Sequence, residues 1–124
     1  MQPFIPKSTA KLSLGDYCSI RRDDGLYVPL VFLSKAGKLR TSFYGALLSH
    51  TAHTPEIPDG GGTLKIFVTA LVDIRAFAEN AGILGNIAAR LDEYEVTLAL
   101  EKIKVKTNVW GYRTPLKYAQ LVKG

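Results

Sequence analysis

Length, composition and charge describe one small globular domain and exclude several other classes of protein. The chain has 124 residues, of which 47% are apolar and 22% charged. This is enough for a hydrophobic core and too apolar for a disordered chain. No apolar run approaches the roughly 20 residues of a membrane span, and the N-terminus lacks a signal-peptide pattern. The single cysteine excludes an internal disulfide and is typical of a reducing cytoplasm.

The net charge of +5 is distributed unevenly along the chain. Residues 1–101 contain ten basic and eleven acidic side chains, a net charge of −1. Residues 102–124 contain six basic side chains and no acidic one. The positive excess is therefore confined to the last 23 residues, and a binding site for an anionic partner would be expected in that segment.

The first half of the chain predicts an antiparallel meander after an irregular lead-in at residues 1–11. Three short strands are expected, at 17–22, 26–34 and 39–48. Asp23-Asp24-Gly25 is a tight-turn signal, because Asp and Gly tolerate positive φ. The second strand is apolar on both parities, which predicts that both of its faces are covered. Pro29 has no N–H to donate and is expected at an edge or a bulge.

The second half begins with a long loop at 49–62, followed by a fourth strand at 63–72. Asp73 can cap a short helix at 74–80. Residues 83–91 fit either a strand or a helical face.

The last third of the chain is predicted to be extended. Residues 94–106 are rich in β-branched side chains and alternate, with a flip near Glu101 that predicts a bulge. Residues 110–123 close the domain as strand or short helix. The fold class expected is mainly β with one or two short helices, a single domain over 1–124 shaped as a small bent antiparallel barrel or sandwich.

The clearest candidate site is a face of the last predicted strand. If residues 102–112 are extended, alternate side chains point the same way. The predicted partner-binding residues are Lys102, Lys104, Lys106, Trp110, Tyr112 and Arg113. Cations beside aromatic rings suit an acidic protein partner, or the phosphates and bases of a nucleic acid. The alternative without function is a solvated lysine edge that prevents edge-to-edge pairing.

Two histidines and one cysteine are the remaining candidates for chemistry. His50 and His53 are spaced as His-x-x-His, but zinc needs three or four ligands and only Glu56 and Asp59 lie nearby. Cys18 could pair with a histidine as a nucleophile, although its apolar surroundings favour a buried, inert thiol. We therefore expect no enzyme, no cofactor and no metal.

A family resemblance is carried by the meander. Gly15-Asp16-Tyr17 opens the first strand, and Asp24-Gly25-Leu26-Tyr27-Val28 forms a turn and an aromatic-bearing second strand. Ser42-Phe43-Tyr44-Gly45-Ala46-Leu47-Leu48 and Ile83-Leu84-Gly85-Asn86 follow. Over residues 12–90 this pattern resembles the bacterial polymorphic-toxin immunity family numbered 26.

The resemblance implies a cytoplasmic protein that binds and neutralises a cognate toxin, without catalysis. It supplies no functional residues. Separately, we expect no membrane partner. Because like charges across an interface oppose association, the basic C-terminal segment predicts a partner with an acidic or mixed surface. Alternatively, the near-neutral residues 1–101 make the contact. The alternative function is a small nucleic-acid-binding barrel that uses the basic and aromatic strand.

Overall fold

A six-stranded sheet with helices on both faces is the framework of the molecule. The computed structural model describes residues 4–58 and 60–123. The strands are β1 (Asp16–Arg21), β2 (Tyr27–Lys35), β3 (Ser42–Leu48), β4 (Ile66–Asp73), β5 (Gly85–Asn86) and β6 (Val109–Trp110). The helices are α1 (Arg75–Glu79), α2 (Glu93–Val105) and α3 (Thr114–Ala119), with 3-10 turns at Thr9–Lys11 and Ala88–Arg90.

The strand order is β5-β1-β2-β3-β4-β6. Neighbouring strands are antiparallel except for β4 and β6, which are parallel. The expected class, mainly β with short helices in one small domain, is confirmed. The sheet is open, so the barrel form of that prediction is wrong, and its two edges are strands of only two residues. Within the described residues, no helix has the length and apolar character needed to cross a membrane.

The predicted meander forms, and its first turn follows the predicted chemistry. Gly25 has a φ of 86°, and its N–H donates to the carbonyl of Arg22 at 3.0 Å. The carboxylate of Asp24 accepts the N–H of Leu26 at 3.0 Å. Pro29 lies beyond the Leu30–Leu47 pair, where the register between β2 and β3 ends.

Alternation along β2 divides the interior into two cores, one on each face of the sheet. Leu30 and Phe32 belong to the first core, together with residues of α1 and α3. Val31 and Leu33 belong to the second, which α2 and the 49–62 loop cover. The apolar character of both parities thus reflects a strand buried on both faces, as predicted.

The predicted strand over 94–106 is wrong, because this segment is the 13-residue helix α2. Asp92 caps the helix, since its carboxylate accepts the N–H groups of Tyr94 and Glu95. Val96 and Ile103 are buried and lie seven residues apart, on one side of the helix. The bulge expected near Glu101 does not form, because Glu101 lies inside the helix.

The long loop at 49–62 is held against the sheet. The hydroxyl of Ser19 donates to the carbonyl of Pro55. The N–H of Ile57 donates to the hydroxyl of Tyr17 at 2.8 Å. The guanidinium of Arg90 donates to two loop carbonyls, Pro58 and Gly62. This loop therefore covers one part of the second core, and α2 covers another.

Candidate functional site

The three lysines of the predicted face do not form a row. Lys102 and Lys104 belong to α2, and Lys106 is its C-terminal cap. Helix residues two apart do not share a side, so a row on one strand face is impossible here. All three side chains are exposed, and none forms an ion pair within residues 4–58 and 60–123.

Trp110 belongs to the interior instead of the surface. Its side chain is 2% exposed, and its ring stacks on Tyr118 of α3 at 4.7 Å between centroids. The strand that contains it, β6, pairs Trp110 with Val72 of β4. Trp110 therefore fixes α3 to the sheet, and the aromatic stacking platform that a nucleic-acid interface would need loses its tryptophan.

Tyr112 and Arg113 contact residues that no sequence pattern connects with them. The guanidinium carbon of Arg75 lies 4.5 Å from the centre of the Tyr112 ring, and that of Arg113 lies 5.3 Å from it. Both distances are within the range of cation–π attraction. Two ion pairs hold the guanidiniums. Arg75 Nη2 lies 2.7 Å from Asp73 Oδ2, and Arg113 Nε lies 3.5 Å from Glu79 Oε1. The cluster is thus held together by internal contacts.

Two concavities adjoin this cluster. One, of about 500 Å³, is mainly apolar and is lined by Ile5, Ala78 and Arg75 among others. The other, of about 290 Å³, is lined by Arg21, Tyr112 and further side chains. The contact between Arg75 and the Tyr112 ring places the two concavities next to each other, and we treat them together. We call this combined area the α1 surface, defined by Ile5, Arg21, Arg75, Glu79, Tyr112 and Arg113.

If Asp73, the ion-pair partner of Arg75, is counted with the α1 surface, the surface has three guanidiniums against two carboxylates, a positive balance. Hydrogen bonding to Arg75 lowers the pKa of the Asp73 carboxyl, and the same pair raises the pKa of Arg75. Arg113 is neutralised in part by Glu79. Arg21 has no ion-pair partner in the described part of the chain. Its charge can therefore be met directly by a partner, as can that of Lys7, which lines the larger concavity.

A second surface lies on the outer side of α2, on the opposite face of the sheet. Tyr94 is 72% exposed, Leu98 37% and Val105 89%. Phe67 of β4 is 40% exposed and lines a groove with Leu98 and Lys102. We call this area the α2 face, defined by Phe67, Tyr94, Leu98, Glu101, Lys102 and Val105.

The residues considered for catalysis do not form a reactive set. Cys18 is fully buried, and burial raises the pKa of its thiol to about 12, so little thiolate exists at neutral pH. Burial and the nearby charge of Arg90 lower the pKa of His50. No group of three metal-binding side chains occurs among the described residues. Asp59, one of the two acidic side chains near the histidines in sequence, lies outside the described residues.

A scan against protein-family models, a search of curated proteins and a search of solved structures found no match to this chain. Function is therefore inferred from the chemistry of the two surfaces. Sequence reasoning missed Arg21, Arg75 and Ile5, because they lie far along the chain from Tyr112 and no local pattern connects them. The exposed stripe of α2 could have been found from the sequence. Tyr94, Leu98 and Val105 are spaced by four and seven residues, which places them on one side of a helix.

Proposed function

We propose that this chain is a protein-binding module that holds its partner at the α1 surface. In its narrower form, which rests on the family resemblance, the chain is a cytoplasmic immunity protein that neutralises a cognate toxin by occupying it. In either form the proposed role is binding without catalysis.

The observation that carries the proposal is the stack of Arg75, Tyr112 and Arg113 between two concavities. Arginine and tyrosine are enriched among the residues that dominate binding energy at protein interfaces. Here the two guanidiniums are already oriented by Asp73 and Glu79. Fewer rotamers are lost on binding when side chains are ordered beforehand, so such a cluster favours association.

The shape and charge of the α1 surface indicate the chemistry of the partner. Arg21 can meet a carboxylate at the smaller concavity, whose other walls include Asn80 and Leu116. The larger concavity, lined by Ile5 and Ala78, accepts an apolar side chain. A partner with acidic residues beside one or two exposed apolar side chains matches both features.

The narrower form is tested by expressing the product of each gene adjacent to this one, alone and together with the chain. We expect one product to arrest growth when expressed alone and to form a stable complex with the chain. In that complex Arg113→Glu should weaken binding about 30-fold or more, the effect of removing an interface residue worth about 2 kcal/mol. Binding is measured by titration calorimetry.

Lys65→Glu is the matched control. Lys65 is exposed and precedes the first residue of β4, whereas Asp73, beside the α1 surface, is the last residue of that strand. This reversal should leave binding unchanged. If no neighbouring product is toxic or binds, the immunity proposal is wrong. If a partner binds the Arg113→Glu and Tyr112→Ala variants as tightly as the wild-type chain, the α1 surface is not the docking site.

A further inference from the structure

The outer side of α2 has the pattern of a helix that packs on another helix. Tyr94, Leu98, Glu101 and Val105 follow one another at spacings of four, three and four residues. This spacing places them in one stripe, the positions that meet a partner helix in coiled-coil packing. The opposite side of α2, with Val96 and Ile103, is the side that already packs on the sheet.

Charge along α2 changes sign from one end to the other. Its first turn contains Glu93 and Glu95, and its last turn contains Lys102 and Lys104. A uniformly acidic partner would be attracted at the lysine end and repelled at the glutamate end. The matching partner is one whose charge runs in the opposite direction, and an antiparallel copy of the same helix has that arrangement by symmetry.

The geometry points to a second copy of this chain as the occupant of the α2 face, in an antiparallel, two-fold symmetric dimer. In this register Tyr94 packs on Val105 of the second copy, and Leu98 lies beside Glu101 of the second copy. Antiparallel helices bring equivalent flanks together, so Glu95 faces Lys102 of the second copy, and the pair occurs twice. Phe67 borders the same flank and adds apolar contact.

The size of the interface indicates a weak, reversible dimer. α2 has 13 residues and is therefore about 20 Å long, which limits the contact to less than the roughly 1,600 Å² of a standard interface. Glu101 weakens the pairing further, because its carboxylate lies in the apolar stripe beside Leu98 of the second copy. This residue keeps the association below that of a permanent dimer.

The dimer and the proposed partner binding use opposite faces of the sheet. α1 and α3 pack on the first core, and α2 packs on the second. The dimer inference therefore does not depend on the proposed function. Lys102→Glu should leave partner binding unchanged, and Arg113→Glu should leave self-association unchanged, so the two ideas can fail separately.

Sedimentation velocity of the full chain over a wide concentration range tests the inference. We expect a reversible monomer–dimer equilibrium that Glu101→Leu tightens about tenfold or more, because it completes the apolar stripe. Lys102→Glu should weaken it roughly tenfold, since two attractive pairs become repulsive. The double variant Glu95→Lys with Lys102→Glu should recover most of that loss.

Lys123→Glu is the control for the charge reversal, because Lys123 is exposed and lies beyond α3. Circular dichroism verifies that each variant keeps its helices, which matters because Glu95 also accepts the N–H of Ile66. If the wild-type chain and Glu101→Leu are both monomeric at every concentration, the inference is wrong. A dimer that ignores Lys102→Glu, a folded double variant without recovery, or unlimited aggregation of Glu101→Leu would each overturn it.

Discussion

The α1 surface and the α2 face differ in how their charges are compensated. On the α1 surface, Arg75 and Arg113 are paired with acids of the same chain and stacked on Tyr112. On the α2 face, Lys102 has no ion pair in the described part of the chain, and apolar side chains stand exposed beside it. The first surface is ordered and concave, which suits a foreign partner. The second is an exposed helix side with acidic residues at one end and lysines at the other, which suits an antiparallel copy.

The two surfaces also rest on different supports. Tyr112 and Arg113 of the α1 surface lie between β6 and α3. Trp110 connects these two elements, because it pairs with β4 and stacks on Tyr118. The α2 face rests on a helix that is capped by Asp92 and anchored by Val96 and Ile103. A substitution at either support should damage one surface and spare the other. The expected effects are largest for core residues and smallest for surface residues.

The largest effect is expected from Trp110→Ala. Removing a buried indole leaves a cavity, and such changes cost about 3–5 kcal/mol of unfolding free energy, a large share of the stability of a small domain. The stacking on Tyr118 is lost at the same time. Urea unfolding followed by circular dichroism measures the loss.

Two comparisons sharpen that experiment. Trp110→Phe keeps an apolar ring and removes the indole Nε1, a buried donor that has no acceptor in the described part of the chain, so it should cost clearly less than Ala. Val105→Ala on the exposed side of α2 should change stability by no more than about 0.5 kcal/mol. Equal losses at Trp110 and Val105 would contradict the burial assigned to these two side chains.

A smaller effect is expected at the start of α2. The carboxylate of Asp92 accepts two backbone N–H groups, and replacing such a cap by alanine costs about 1 kcal/mol. Asp92→Ala should therefore lower the unfolding free energy by that amount and speed hydrogen exchange in the first turn of α2. Asp92→Asn, which keeps an acceptor, is the control. A chain indifferent to Asp92→Ala would favour the extended conformation predicted from the sequence for this segment.

The meander could be predicted because its signals are local. Asp24-Gly25 fixes a turn, and the alternation of β2 reports on neighbours on both faces. α2 was mispredicted because Val96, Thr97, Ile103 and Val105 are β-branched and several of its apolar residues also share a parity. The better signal was Asp92 with Glu95 three residues later, a helix-start pattern, followed by apolar residues at helical spacing.

The candidate site was predictable only in part. The side-chain chemistry of Tyr112 and Arg113 predicts an interface role, and both residues belong to the α1 surface. Their neighbour Arg75 could not be found, because the parallel pairing of β4 with β6 brings together segments 38 residues apart, Leu71 with Val109 among them. Two-residue strands leave no periodic signal in a sequence, so the burial of Trp110 was also invisible.

The next effect depends on pH and tests the internal pairing of the α1 surface. Arg75 lowers the pKa of Asp73, so the pair stabilises the fold above the unfolded-state pKa of about 4. That contribution is lost as the pH falls through the lower folded-state pKa. Because Arg75 is largely exposed and Asp73 is partly exposed, solvent screens the pair and the effect is small. Arg75→Gln should raise the pKa of Asp73 toward its ordinary value, as measured by carboxyl titration in NMR spectra.

Asp24 serves as the internal reference for that titration. Its pKa is lowered mainly by a side-chain hydrogen bond from Arg22, so it should titrate identically in the wild-type chain and in Arg75→Gln. An unchanged Asp73 pKa in the variant would mean that Arg75 is not held by Asp73 in solution. Arg75 would then not be ordered before a partner binds, and the α1 surface would not be preorganised.

The smallest effect is expected where the comparison began, at the lysines of α2. Replacing Lys102 and Lys106 by glutamine should alter the unfolding free energy by less than about 0.5 kcal/mol, because exposed side chains without partners contribute little to folding. Urea unfolding in low salt is the most sensitive measurement, since salt screens surface charge. A loss above about 1 kcal/mol would mean that these lysines are engaged within the monomer. No loss leaves their charge available for contacts outside the chain, which is what distinguishes the α2 face from the internally paired α1 surface.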